Sequence, residues 1–402
     1  MKILVISQYF WPENFRINDV CLGLKERGHE VIVVTGKPNY PMGKYFSGYS
    51  WFNNSKEIWN GITIYRSNLI LRGNGGGVRL SLNYFSFAIF ASLKILLLNI
   101  NIDKIFIFAP SPITVGLPGI IAKKKFKTNS FLWVHDLWPE SIRVAGGVRN
   151  KWILDLINNL TIFIYSNSDK ILIQSKAFLP YLNKQGVNSN KIIYYPFFAE
   201  SFYKIEKPEE VYLNKLPNGF KILFAGNIGE AQSFATIISA IKILKNKRLP
   251  IKLIVFGEGR MKKFVEEQII LYNLEEHIFL MGLLPAIDMP KYFCCVDGLI
   301  LSLKKSEIFS ITIPGKFQSY LACGKPIIAS LDGVCADMIL ESDSGFVASP
   351  ESAEKLVEAI LHLYNLSEKD KNMLGNNARI YFEKEFEREN LLNKLETILL
   401  NS

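Results

Sequence analysis

The feature that most constrains the fold of this chain is an alternation of short apolar runs with helix-length segments, which occurs twice. The first half contains the runs 2–7 and 31–35, and the second half contains 221–226 and 251–257. Continuous apolar strands alternating with helices indicate a parallel sheet that is covered on both faces. The sequence therefore predicts an α/β protein with two doubly wound, Rossmann-like domains.

The alternation is interrupted once, at residues 196–219, which are charged, rich in proline and without a sustained period. We expect a first domain over 1–200, a linker over 201–219 and a second domain over 220–383. The final segment, 384–402, reads as a helix that crosses back to the first domain. A length of 402 residues agrees with two or three domains. No repeat of 20–50 residues is visible, which excludes a solenoid.

Composition excludes several classes of protein. A chain that is 49% hydrophobic can fill cores and is not intrinsically disordered. Its five cysteines form no CxxC pair, which argues against a zinc ribbon or a disulfide framework and agrees with a reducing cytosol. The formal net charge of +10 indicates an anionic partner, such as phosphates or an acidic membrane surface.

One apolar segment, 84–100, resembles a membrane span but contains Lys94 and two serines. It falls just short of the run that a spanning helix needs. We expect a buried or partly interfacial helix.

The common cofactor motifs are missing. The sequence has no P-loop, no GxGxxG after a strand, no HExxH, no GxSxG and no Asp-x-Asp. A phosphate bound here must therefore be held by backbone N–H groups and cationic side chains, and we expect neither a metal nor a cofactor.

Two glycine-rich turns follow strands of the second half, at 226–232 and 257–260. Glycines let the backbone approach a ligand, and the helix N-terminus that follows attracts anions. The positive charge of Arg260 is unfavourable beside the N-terminus of the helix that follows, so its position needs another explanation. Its guanidinium either makes a bidentate contact with a phosphate or covers the helix start as a solvated side chain. The candidate residues here are Gly226, Asn227, Gly229, Gln232, Gly257 and Arg260.

The strongest candidate is Lys316, which follows Pro314 and Gly315 at a predicted helix start between two strands. A lysine beside free N–H groups forms a good clamp for a diphosphate. A lysine on a surface turn is the alternative interpretation.

In the first half, His135 lies just past a strand, beside Asp136 and close to Glu140. The imidazole can orient a sugar or polarise a reacting oxygen, or it can be a structural, hydrogen-bonded histidine. The segment 8–19, after the first strand, contains Glu13, Asn14 and Arg16. These residues either contact a ligand or belong to a plain surface loop.

These residues together resemble family 4 glycosyltransferases of the GT-B fold. The resemblance covers the full length and is nearest to the N-acetyl-L-fucosamine transferases of the WbuB type, which act in bacterial O-antigen and capsule assembly. It rests on the segments ERGHEVIVVT (26–35), HDLWPES (135–141), FAGNIGEAQ (224–232), FGEGR (256–260) and IPGKFQSYLACGKPIIAS (313–330).

The resemblance implies two domains facing each other across a cleft and a metal-independent, retaining transfer from a UDP-sugar to a lipid-diphosphate-linked glycan. It makes His135, Lys316 and Arg260 catalytic. It also implies acceptor contacts from Glu13, Asn14, Arg16, Asp136 and Glu140, and donor contacts from Gly226, Asn227, Gly229, Gln232, Gly257, Pro314, Gly315 and Ser319.

The chain departs from the family pattern at two glutamates, which are replaced by Ile311 and Ser319. Asn227 and Gln232 stand where many members have Arg and Lys. The missing glutamates leave a catalytically dead partner protein as one alternative. A nucleotide-sugar 2-epimerase, an isomerase of the same architecture, is a second alternative.

Since the implied acceptor is linked to a polyprenyl lipid, the enzyme is expected to act at the inner face of the cytoplasmic membrane. We expect peripheral binding there through a basic face, helped by exposed parts of 84–100, whereas nucleic acid is not an expected partner because no reading motif is present. The residues of that expected face are Lys123, Lys124, Lys125, Lys127, Arg143, Arg149 and Lys151.

Overall fold

The computed structural model describes residues 1–73, 76–145, 148 and 150–401. The chain divides into two units, one made of 1–196 and 389–402 and the other of 197–388. The first unit therefore contains both the beginning and the end of the chain.

The first unit is built on an eight-stranded sheet in the order β3-β4-β2-β1-β5-β6-β7-β8. All neighbouring strands are parallel except the edge pair β3–β4. The central strand β1 pairs with β2 on one side and with β5 on the other, with Ile3 opposite Val31 and Lys104. The strands are β1 (Lys2–Ser7), β2 (Glu30–Gly36), β3 (Lys56–Trp59), β4 (Ile62–Ser67), β5 (Lys104–Ala109), β6 (Ser130–Val134), β7 (Lys170–Ile173) and β8 (Ile192–Tyr194).

Helices cover this sheet because the strands are apolar on both faces. Every residue of β6 is buried, as are all residues of β5 except the first. The helices of this unit are α1 (Arg16–Glu26), α2 (Gly77–Leu97), α3 (Gly116–Phe126), α4 (Glu140–Ala145), α5 (Lys151–Asn167), α6 (Leu179–Lys184) and, from the end of the chain, α16 (Arg388–Leu400).

The last helix packs on the first. Glu389 and Glu396 of α16 bond to Arg27 and His29, with His29 Nε2 2.8 Å from Glu396 Oε1. Leu392 fills the space beside Gly23 of α1. The imidazole of His29 is therefore structural, and it joins the two ends of the chain within one unit.

The second unit has six parallel strands in the order β11-β10-β9-β12-β13-β14. The strands are β9 (Phe220–Ala225), β10 (Ile251–Phe256), β11 (Ile278–Gly282), β12 (Gly298–Ser302), β13 (Ile327–Ser330) and β14 (Gly345–Ala348). The helices are α7 (Glu210–Leu213), α8 (Phe234–Asn246), α9 (Lys262–Leu271), α10 (Met289–Phe293), α11 (Glu307–Ser310), α12 (Gly315–Ala322), α13 (Val334–Glu341), α14 (Ala353–Asn365) and α15 (Glu368–Glu385).

Residues 201–219, which the sequence predicts to be a linker, are part of the second unit. Ala199 and Leu216 belong to the core of the second unit, and Tyr203 and Tyr212 pack against that core. The segment contains α7 and lies inside the second unit, which begins at residue 197. Its prolines and charges obscured the apolar residues that anchor it.

Candidate functional site

The strand order of the second unit defines where a ligand fits. From β9 the chain builds outward through β10 to β11, and it then returns to β12 on the other side of β9 and continues to β14. In open α/β sheets, ligands bind beyond the carboxyl ends of the strands at such a reversal of strand order. The loop after β9 and the start of α12 carry the predicted donor residues, so the candidate site lies at this edge.

The two glycine turns pack directly on each other. Ile228 N donates to Glu258 O at 2.9 Å, and Met261 N donates to Ile228 O at 3.0 Å. Gly257 has a φ of 148°, and a Cβ at this position would lie 1.8 Å from Gly226 O. Only glycine fits at 257, and the absence of side chains here exposes backbone along one wall of the site.

Lys316 is the central charged group of this edge. It lies in the first turn of α12, and its Nζ is 3.8 Å from the ring centroid of Phe224, a cation–π distance. The same Nζ would be 3.1 Å from a Cβ added to Gly226. The predicted lysine and the predicted glycine turn are therefore in contact.

The ammonium of Lys316 is buried, and its Nζ has no hydrogen-bond partner among the described residues. Burial lowers the pKa of Lys316 to about 7, because a charged ammonium is disfavoured away from water. A buried, unpaired cation destabilises a fold. An anion bound beside Gly226 would supply the missing partner.

Tyr320, one turn further along α12, holds the lysine helix against β9. Its hydroxyl accepts from Ala225 N at 2.9 Å and lies 3.4 Å from Ala225 O. Ala225 immediately precedes Gly226, so Tyr320 fixes the turn and the helix together. We did not predict this residue from the sequence, although its spacing of four from Lys316 puts both on one helix face.

Two serines at the ends of neighbouring strands were also missed. Ser302 ends β12, Ser330 ends β13, and the two are opposite each other in the sheet. Both hydroxyls are buried and lack a hydrogen-bond partner among the described residues. Their sequence signal is a serine that ends a continuously apolar run, as in 298–302 and 327–330.

The remaining predicted donor residues occupy different environments. Arg260 is exposed in the turn before α9, and Asn227 is exposed in the first glycine turn. Gln232 closes its own loop, because its Oε1 accepts from Gly229 N at 3.1 Å. Pro314 and Gly315 form the start of α12, and Ser319 is buried within that helix.

In the first unit the strand order reverses between β1 and β5, and the predicted acceptor residues follow nearby strands. His135, directly after β6, is buried between aromatic rings, with ring centroids 4.8 Å from Phe108 and 4.3 Å from Trp133. Burial, assisted by the charge of Arg16, holds the pKa of His135 well below its usual value. The imidazole is therefore neutral near pH 7 and can donate or accept a hydrogen bond without carrying a charge.

The two acidic residues near His135, Asp136 and Glu140, differ in their surroundings. Burial raises the pKa of Asp136 to about 7. Glu140, in the first turn of α4, forms an ion pair with Arg143 at 2.5 Å. The charge of the Asp136 carboxyl group therefore changes near neutral pH.

Glu13 organises the loops beyond β1 and β2. Its two carboxylate oxygens accept from the backbone N–H groups of Phe10, Asn39 and Tyr40, at 3.3, 2.8 and 2.7 Å. Burial raises the pKa of Glu13 to about 7 despite these bonds. The neighbouring Asn14 is exposed, so Glu13 shapes the loop and Asn14 projects from it.

No group of three or more His, Cys, Asp or Glu residues that could hold a metal ion occurs in the described part of the chain. The five cysteines are all free and buried.

Residues 208–381 match the model of the family described as Glycosyl transferases group 1. Over 98% of both chains, the protein is 24% identical to WcaI of Escherichia coli K12, which is named as a glycosyl transferase of colanic acid biosynthesis. It is also 24% identical to WbjE of Pseudomonas aeruginosa, named as a glycosyltransferase, over 63% of this chain and 64% of that protein. The chain is a glycosyltransferase of the GT-B fold.

Solved structures agree on the fold of this glycosyltransferase. Sucrose-phosphate synthase from Thermosynechococcus elongatus superposes with a TM-score of 0.80 at 15% identity, covering 100% of this chain and 98% of that one. Anabaena HepE, crystallised with UDP and glucose, superposes over 100% of both chains with a TM-score of 0.70 at 14% identity.

Proposed function

We propose that this glycosyltransferase moves a sugar from a UDP-sugar to a lipid-diphosphate-linked GlcNAc or oligosaccharide during O-antigen or capsule assembly. The transfer retains the anomeric configuration and uses no metal. N-acetyl-L-fucosamine is the best candidate donor sugar, on the resemblance to WbuB-type transferases. The name of WcaI as a colanic acid enzyme and the UDP bound to HepE support the polysaccharide setting and the nucleotide.

The observation that carries the proposal is the buried Lys316 Nζ, which lies against Gly226 without a partner among the described residues. We call the two packed glycine turns, 226–232 and 257–260, the glycine cradle. A diphosphate bound in this cradle would give the Lys316 ammonium its counter-charge and would accept hydrogen bonds from nearby backbone N–H groups. Arg260, exposed at the end of the same cradle, would add a second cation at its rim.

In the proposed reaction, the bond between the anomeric carbon and the phosphate oxygen of the donor breaks. The acceptor hydroxyl oxygen bonds to that carbon on the same face, and its proton passes to the departing phosphate oxygen. Negative charge grows on the diphosphate as the bond breaks, so a fixed cation and fixed N–H groups lower the barrier. No carboxylate nucleophile takes part in this scheme.

In this scheme the first unit binds the acceptor. A neutral His135 would orient the reacting sugar by hydrogen bonding, and Asp136 and Glu140 would contact acceptor hydroxyls. Because the acceptor is attached to a polyprenyl lipid, the enzyme would work as a peripheral protein at the inner face of the cytoplasmic membrane.

A donor screen tests this function. UDP-sugars are incubated with a GlcNAc-diphosphate-lipid analogue, with and without chelator, and the products are read by mass spectrometry and by the anomeric coupling in NMR. We expect a single added sugar with retained configuration and equal rates with chelator. Inversion, or loss of activity in chelator, would refute the mechanism.

The same assay separates the alternatives. Conversion of a UDP-sugar to its 2-epimer without acceptor would establish the isomerase instead. A complete lack of UDP binding in calorimetry would identify the dead partner protein, which Ile311 and Ser319 in place of the glutamates suggested.

A further inference from the structure

Helix α2 carries an apolar stripe that the first unit leaves uncovered. Its side chains, spaced three or four residues apart on one face, are 47% to 82% exposed. The helix has 21 residues, so the stripe is roughly 30 Å long. The exposed residues are Val78, Leu82, Phe85, Ile89, Leu93 and Leu97.

The opposite face of α2 is tied into the unit by polar contacts. Asn83 Oδ1 accepts from Gln8 Nε2 at 2.8 Å, and Asn83 Nδ2 donates to Ile70 O at 2.6 Å. Ser86 Oγ accepts from Ile70 N at 2.8 Å. Although length and hydropathy would allow this helix to cross a membrane, these buried contacts keep it on the surface of the fold.

The apolar surface extends beyond α2. A groove of about 380 Å³ joins it to α3 and α5, with Ile89, Ile121 and Phe163 among its lining residues. Along α5 the surface continues through exposed side chains such as Trp152 and Leu156. On the other side of α2, Trp51 contacts Phe90 edge to face at 5.5 Å.

The charge around this surface is almost entirely positive. The sequences of α2, α3 and α5 contain six Lys and Arg residues and a single acid, Asp155. Lys124 lines the groove, Lys94 lines a hollow beside Trp51 and Phe90, and Lys151 begins α5 next to Trp152. None of these three lysines forms an ion pair with a residue of the described ranges.

The basic face expected from the sequence is thereby revised. Lys123 forms an ion pair with Asp169 at 2.7 Å, and Arg143 is paired with Glu140. Lys125 donates to the backbone carbonyls of Ile95, Leu96 and Leu98 and so caps the end of α2. Arg149 lies outside the described residues. The lysine run in α3 is mostly structural, and the apolar face beside it remains available.

We propose that the apolar face of α2, α3 and α5 docks on an anionic lipid bilayer, with Lys94, Lys124 and Lys151 at its rim. Apolar side chains would enter the acyl region, tryptophan rings would lie at the headgroup level and lysines would reach lipid phosphates. Charge complementarity favours a bilayer over a second copy of this chain, because two such basic faces would repel each other.

The docking proposal depends on the proposed function in one respect only, which is the link between this surface and a lipid-linked acceptor. Asn83 bonds to Gln8, which directly follows β1, and the ring of Tyr84 lies 6.4 Å from that of Trp138 near His135. One helix thus borders both the lipid surface and the candidate acceptor site, a short path for a membrane-held substrate.

The test is vesicle flotation with phosphatidylglycerol–phosphatidylethanolamine vesicles and with purely zwitterionic vesicles. The test variant L82E/I89E/L93E changes the stripe. The matched control I270E/L340E/I380E changes three apolar residues of the second unit that are 62% to 67% exposed. We expect the stripe variant to lower the partition coefficient on anionic vesicles at least tenfold and the control to leave it within twofold.

A second variant with two substitutions controls for misfolding of the stripe variant. Phe52 lines the same hollow as Lys94, and Trp152 lies on α5. The variant F52S/W152S removes these two side chains, which are 95% and 86% exposed, and it should lower binding without altering the melting temperature. Wild-type binding should survive partly at about 0.5 M salt, because apolar contact is not screened. Absence of wild-type binding to anionic vesicles, or equal loss in stripe and control variants, would overturn the proposal.

Two further measurements distinguish other outcomes. A dimer in sedimentation velocity that only the stripe variant dissolves would make a second copy the occupant and refute the lipid. Transfer to a short-chain, water-soluble acceptor should be unchanged in the stripe variant, with at least tenfold loss on the long-chain lipid in vesicles. If the protein binds vesicles but transfers to neither acceptor, the proposed function fails while the docking surface stands.

Discussion

The loops beyond the two sheets hold their ionisable groups in different ways. In the second unit, the Lys316 ammonium is buried against Phe224 and Gly226 with no partner among the described residues. In the first unit, His135 lies between two aromatic rings and is held neutral, and the pKa of Asp136 is raised to about 7. The buried cation of the second unit suits a multiply charged anion such as a diphosphate. The neutral groups of the first unit suit uncharged hydrogen-bonding partners such as sugar hydroxyls.

The comparison is tested most strongly by Lys316→Ala. Removing a fixed cation from a developing charge should lower kcat by roughly 10²–10³-fold, while the circular dichroism spectrum stays unchanged. Lys263→Ala, which removes an exposed lysine of the same unit, is the matched control and should retain full turnover. Unchanged turnover in Lys316→Ala would remove the residue from the mechanism.

His135→Ala should have the next largest effect, because a positioned hydrogen-bonding group is lost from the first unit. We expect about ten- to a hundredfold slower transfer with nearly unchanged UDP affinity, measured by kinetics and calorimetry. His362→Ala, in α14, serves as the control. A loss of UDP affinity as large as the loss of transfer would contradict the division of labour between the two units.

The pH dependence of UDP binding should separate the two units further. The pKa of Lys316 is about 7 in the free protein, and a bound diphosphate raises it, so binding takes up a proton above pH 7. UDP affinity should fall by up to about tenfold per pH unit between pH 7 and 9. Calorimetry in buffers of different ionisation enthalpy measures the uptake, which should be absent in Lys316→Arg.

The smallest effects concern stability, and they have opposite pH signs. The folded pKa of Lys316 lies below its unfolded value, so the cost of burying it is complete below pH 7 and vanishes as the pH rises toward 10.5. Lys316→Met should therefore raise the melting temperature more at pH 6 than at pH 9. Each kcal/mol regained is worth roughly 2–4 °C in a domain of this size.

Asp136→Asn should show the reverse trend. The folded pKa of Asp136 is raised to about 7 from 3.8, so its cost is absent at pH 4 and complete above pH 7. The variant should be stabilised at pH 8 and unaffected at pH 4 in thermal melts. A gain that is equal at both pH values would show that Asp136 is not desolvated as the structure indicates.

Sequence patterns predicted most of the sheet strands because buried parallel strands are continuously apolar. The apolar run at 2–7 is β1, and the run at 251–257 contains β10. The edge hairpin β3–β4 was missed, since its half-exposed strands alternate instead of forming apolar runs. Its turn carried a usable signal, because Asn60-Gly61 between two strands, with φ of 48° and 75°, is the common two-residue hairpin turn.

Parts of the site could also be predicted, because glycine turns and a lysine at a helix start have local signatures. The contact between Lys316 and Gly226 depends on how α12 packs against β9, which local sequence does not specify. Tyr320 and Phe224 are ordinary core residues by pattern, and only the packed unit shows that one fixes the turn and the other lies under the ammonium. The structural role of Glu13 likewise depends on a loop 26 residues away.

A crystal structure of the protein with UDP tests the central claim most directly. The account predicts a diphosphate oxygen about 2.7–3.2 Å from Lys316 Nζ, beside the backbone of Gly226 and Gly257. A pyrophosphate bound elsewhere, with Lys316 Nζ still without an anionic partner, would contradict it.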